Sequence, residues 1–127
     1  FGGENAGTDK LANSEEYNGT SWSEGNDLST PTKRNSGGGT SVPTTLSLGG
    51  QSGVNQPGTD QVEQYNGTSW VTSATMSVAR SQIGKMQGNS ASGLVNNGAN
   101  ASDTYIVTTE EFTGETSAVN VKTITTS

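Results

Sequence analysis

Glu15-Glu16-Tyr17-Asn18-Gly19-Thr20-Ser21-Trp22 returns almost unchanged as Glu63-Gln64-Tyr65-Asn66-Gly67-Thr68-Ser69-Trp70. Tyr17 to Tyr65 and Trp22 to Trp70 both span 48 residues. A third, divergent copy is Glu110-Glu111-Phe112-Thr113-Gly114-Glu115-Thr116-Ser117, with Phe112 47 residues after Tyr65. Self-similarity at this period is the mark of repeated supersecondary units.

Asn-Gly between two such runs predicts β-hairpins turning at Asn18-Gly19 and Asn66-Gly67. A two-residue type I′ turn needs φ > 0 at both central positions, which Asn tolerates and Gly adopts freely. In that register Tyr17 faces Thr20, and Glu15 faces Trp22. Tyr17 and Trp22 become diagonal neighbours on one face of the sheet, close enough to pack. The same aromatic pair recurs in successive units. A ligand site rarely needs that, so Tyr17, Trp22, Tyr65, Trp70 and Phe112 are expected in the core rather than as sugar-stacking platforms.

The 127 residues have room for one ordinary domain. Only 27% are hydrophobic and 18 are Gly, a composition that borders on disorder. The regular aromatic hairpins argue against disorder. Short strands, Gly-rich turns and no helical periodicity indicate an all-β chain. The net charge of −6 with no basic patch makes nucleic acid and anionic membranes poor partners. No apolar run is long enough for membrane insertion. Without cysteine there are neither disulfides nor thiolate metal sites. A Thr/Ser/Asn/Gly-rich composition of this kind suits an extracellular protein.

Unit boundaries follow from the period. Phe1-Gly2-Gly3 reads as the end of a strand, matching Leu46-Ser47-Leu48-Gly49-Gly50 and then Leu94-Val95-Asn96-Asn97-Gly98, in which Asn96 follows Gly49 by 47 residues. Gly49 and Gly50 are turn residues. The outgoing strand of each hairpin carries Trp22 or Trp70, then Leu28 or Met76 six residues later. The units are 1–34 (incomplete), 35–80 and 81–127 (terminal), in a single repeat domain. Asn35 to Ser41 is expected as a strand of small residues packed near an axis. Val119 to Thr125 alternates as a strand, and Ser117 stands at the Trp position. A start at Phe1 without Met or leader suggests the C-terminal part of a longer protein, with Ser127 at or near its end.

Four short strands per unit with Gly49-Gly50, Glu63-Gln64-Tyr65, Trp70, Met76 and Arg80 resemble the Kelch repeat of β-propellers. The wording Glu-Glu-Tyr-Asn-Gly-Thr-Ser-Trp is similar to Kelch-like repeats in structural proteins of marine bacteriophages, including tail fibres and appendages. The resemblance implies blades of about four antiparallel strands, roughly two and a half of them here. It departs from the pattern in unit one, which lacks its first strands, and in unit three, which lacks Gly-Gly and Trp. It further implies a non-enzymatic virion structural protein at the virion surface. Its partners would be further repeats or copies of itself, other virion proteins, and a host surface glycan or protein. A secreted bacterial adhesin or lectin with the same fold is the alternative. A propeller hydrolase with its catalytic residues elsewhere is a third reading.

The residues themselves offer little chemistry. With no histidine and no cysteine, the usual general base and most nucleophile–base pairs are missing. Glu15-Glu16 and Glu110-Glu111 are adjacent on strands, so each pair points to opposite faces. No EF-hand spacing exists, and no cofactor or metal is expected. Asn18, Asn66 and Asn100 fit the glycosylation sequon, but the first two are explained by turn chemistry. Glu15, Glu63 and Glu110 recur two residues before each aromatic. They are expected to fasten one unit to the next through backbone N–H groups or through Arg80 and Arg34.

Overall fold

The computed structural model describes residues 1–53, 58–100, 102 and 104–114, and the backbone of 121–124. Among these the chain is all-β and antiparallel, with a single 3-10 turn at Val42–Thr44 and no α-helix. The first unit contributes the two-stranded hairpin β1 (Glu15–Tyr17) and β2 (Trp22–Glu24). The second is a four-stranded meander of β3 (Ser36–Gly38), β4 (Leu46–Leu48), β5 (Val62–Tyr65) and β6 (Trp70–Thr72). The third repeats it with β7 (Gln87–Gly88), β8 (Ser92–Asn96), β9 (Thr109–Thr113) and β10 (Val121–Ile124). Among the described residues the strands form no closed ring.

The period holds at the level of single hydrogen bonds. Thr32 N–H donates to Leu11 O as Arg80 N–H donates to Thr59 O. Gly3 N–H then donates to Thr32 O as Gly50 N–H does to Arg80 O. Leu11, Thr59 and Ile106 donate in turn to Gly3, Gly50 and Gly98. Each unit therefore turns at a left-handed pair: Gly2-Gly3, Gly49-Gly50 and Asn97-Gly98, all with positive φ. The third pair lies one residue later than the 47-residue spacing predicts. Asn97 stands where the others have Gly, which its short polar side chain permits.

The hairpins differ from the predicted two-residue turns. Tyr17 lies directly opposite Trp22, and Tyr65 opposite Trp70, so each loop has four residues. Asn18 Oδ1 accepts the N–H groups of Thr20 and Ser21, and Asn66 Oδ1 those of Thr68 and Ser69. Positive φ is confined to Gly19 and Gly67. The Asn side chain thus organises the turn from an ordinary backbone conformation. In the third unit the residue opposite Phe112 is Val121, so Val121 holds the ladder position of the tryptophans. Ser117 lies outside the described residues.

The inner strands pack through small residues. A Cβ on Gly37 would meet the Phe1 ring at 2.4 Å, and one on Gly38 would meet Met86 at 3.1 Å. Ser36 Oγ donates to Gly84 O and accepts from Met86 N–H, joining units two and three directly. The main core lies between these units, around Leu46, Leu48, Val62, Met76, Met86 and Phe112. A second cluster joins units one and two, where Leu28 and Ala12 pack on Tyr65 and Trp70.

Candidate functional site

Each joint between units is built the same way. The aromatic residues of unit two are covered by the loop that ends unit one, and Phe112 of unit three clusters with Met76 from the loop that ends unit two. Tyr65 and Trp70 are 5% and 8% exposed beneath Leu28, and the Phe1 ring meets Trp70 edge-on at 4.6 Å. Met76 stands one period after Leu28 and shares a buried cluster with Phe112. Beside these apolar contacts a glutamate reaches back to the same loop.

Glu110 is the fullest case. Its Oε2 accepts Ser77 N–H at 2.7 Å, and its Oε1 accepts Val78 N–H at 3.2 Å and Arg80 Nη2 at 2.5 Å. Arg80 and Glu110 are both essentially without solvent contact. The remaining Arg80 donors reach Val78 O, Asn97 O, Thr108 O and Thr108 Oγ1. All five guanidinium N–H groups are thereby satisfied, which burying this charge demands.

Glu63 makes a poorer version of the same clasp. Its Oε1 accepts Ser29 N–H at 3.0 Å and the Ser29 hydroxyl. Ser29 and Ser77 are one period apart. The predicted partner Arg34 does not reach it: Arg34 is exposed, in a left-handed turn, and its carbonyl accepts Gln82 N–H. The true counterpart of Arg80 is Thr32, as the shared bonds to Leu11 O and Thr59 O establish. Glu63 is 3% exposed, and among the described residues no cationic side chain pairs with it. Burial pushes its carboxyl above the usual carboxylate range, opposed by the Ser29 N–H.

In the first unit the expected burial fails. Tyr17 is 52% and Trp22 66% exposed, and Glu15 is exposed. The rings still pack on each other at 5.1 Å. No loop equivalent to Leu28-Ser29 lies over them among the described residues, so the pair that is core elsewhere is here an open face. The neighbouring glutamate carries a contact that sequence reasoning missed. Glu16 Oε1 accepts the Tyr65 hydroxyl at 2.5 Å, which holds the phenol above its usual pKa, because losing the proton would set two anions together. A sequence signal existed: one period on, Gln64 replaces Glu16 just where Phe112 replaces Tyr65.

Surface grooves lie beside Gln64, Val71 and Thr72, at about 380 Å³, and beside Gln82, Asn97 and Tyr105, at about 430 Å³. Among the described residues no three His, Cys, Asp or Glu side chains are grouped to hold a metal. No helix is long and apolar enough to cross a membrane. No protein-family model matches the chain, and no curated protein matches its sequence.

Proposed function

We propose that this chain is a run of Kelch-like β-propeller blades in a virion appendage, tail-fibre-like, serving assembly and host-surface recognition rather than catalysis. The observation that carries the reading is the open Tyr17–Trp22 face. Its counterpart one period on is sealed by the loop of the unit before it, and Glu15 is exposed where Glu63 and Glu110 are clasped. A surface made to the pattern of an internal joint calls for a further unit of the same kind, either another repeat or another copy. The four-stranded meanders and the polar loops at their edges support a rigid carrier with variable contact surfaces.

The exposed aromatic pair also favours the second reading, a secreted adhesin or lectin, since stacked exposed rings suit a sugar face. Antibody against this chain, applied to purified phage particles, tests the first reading by electron microscopy. Decorated appendages support it, whereas unlabelled particles together with a positive glycan array abolished by Trp22→Ala favour the lectin.

A further inference from the structure

The two clasps differ most at the Arg80 position, and there the first joint keeps a cavity. Where Arg80 fills the space beside Glu110, the shorter Thr32 stands beside Glu63. A small cavity of about 10 Å³ remains there, lined by the Gly49 backbone and by Thr30, Thr32, Ser47, Thr59, Gln61 and Glu63. That is about the space of one water molecule. Every lining side chain but Glu63 is neutral and offers oxygen, from hydroxyls or an amide. The same place in the next joint is occupied by a positive charge.

We infer that the Glu63 cavity is a binding site for a small monovalent cation of sodium size, which takes the part of the missing guanidinium. A hard cation suits oxygen ligands, and one buried carboxylate among neutral groups matches one positive charge better than two. A buried carboxylate held only by Ser29 is incompletely compensated. A bound ion would complete it and tie unit one to unit two. The space is too small for a free guanidinium or an organic amine.

Thermal melts of the full 127-residue chain at equal ionic strength in sodium chloride and in choline chloride test this directly. Sodium is expected to raise Tm by roughly 3–5 °C over choline. Thr32→Arg, which brings its own cation, is expected to abolish that difference. Sodium NMR provides a readout that does not rely on the variant's melting: the wild type broadens the sodium line and Glu63→Gln does not. Equal melting in the two salts, equal broadening by Glu63→Gln, or stabilisation by acid alone with no sodium effect would each overturn the site.

Discussion

Arg80 and Glu110 form an ion pair at 2.5 Å in which the two side chains are 0% and 1% exposed, and it joins the end of one repeat unit to the third strand of the next. Such a pair adds less stability than its Coulomb energy suggests, because both ions are stripped of water. Breaking it is another matter. Arg80→Ala leaves a buried carboxylate beside two backbone donors and takes the guanidinium from three carbonyls, those of Val78, Asn97 and Thr108, and is expected to cost about 3–5 kcal/mol. Denaturant unfolding measures this. A loss below about 1 kcal/mol would show that water enters the joint freely.

Glu63→Gln and Glu63→Ala separate hydrogen bonding from charge. In choline buffer, with no sodium to lose, Gln retains an acceptor for the Ser29 donors and removes an incompletely compensated charge, so its stability should stay near the wild type. Ala strands those donors and should lose about 1–3 kcal/mol. Equal losses for both would mean that the charge itself holds the joint.

The pH dependence follows from the same carboxyl. Its pKa is raised in the folded chain, so the folded state holds that proton more tightly than the unfolded state. The stabilisation is fully present below the ordinary carboxylate value of 4.5 and is lost as the pH rises through the raised folded value. Melts in choline buffer should therefore show Glu63→Gln flattening this part of the profile. An unchanged profile in the variant would assign the dependence to other groups.

The two tryptophans should respond unequally. Trp70→Ala opens a void under Leu28 and Phe1, at about 3–5 kcal/mol. Trp22→Ala in the unassembled chain removes an exposed ring and should stay within about 0.5 kcal/mol. Comparable losses would contradict the division into sealed and open faces.

The antiparallel hairpins could be read from Asn-Gly between similar runs, and the reach of Glu63 and Glu110 to an earlier loop from their recurrence two residues before the aromatic. The turn type could not. Asn-Gly serves a two-residue I′ turn and a four-residue loop capped by the Asn side chain equally well, and only the Tyr17–Trp22 register tells them apart. The exposure of Tyr17 and Trp22 in the single chain has a different reason. Tyr65 and Trp70 are sealed by residues of the unit before them, so an identical octapeptide is core or surface according to what lies over it. The counterpart of Arg80 is Thr32, an uncharged residue that a search for cationic partners passes over in favour of Arg34. The one-residue drift between Gly49 and Asn97, and the pairing of Val121 with Phe112, are departures that a fixed spacing hides.

The most direct test of the account is whether the open face becomes a joint. Sedimentation velocity over a concentration series, with Trp22 emission followed alongside in a Trp70→Phe background, measures it. The account predicts association into multiples of the chain with a blue shift of Trp22, both lost in Trp22→Ser, which instead sediments as the single chain. A cooperatively folded monomer at every concentration, with Trp22 in water throughout, would contradict it.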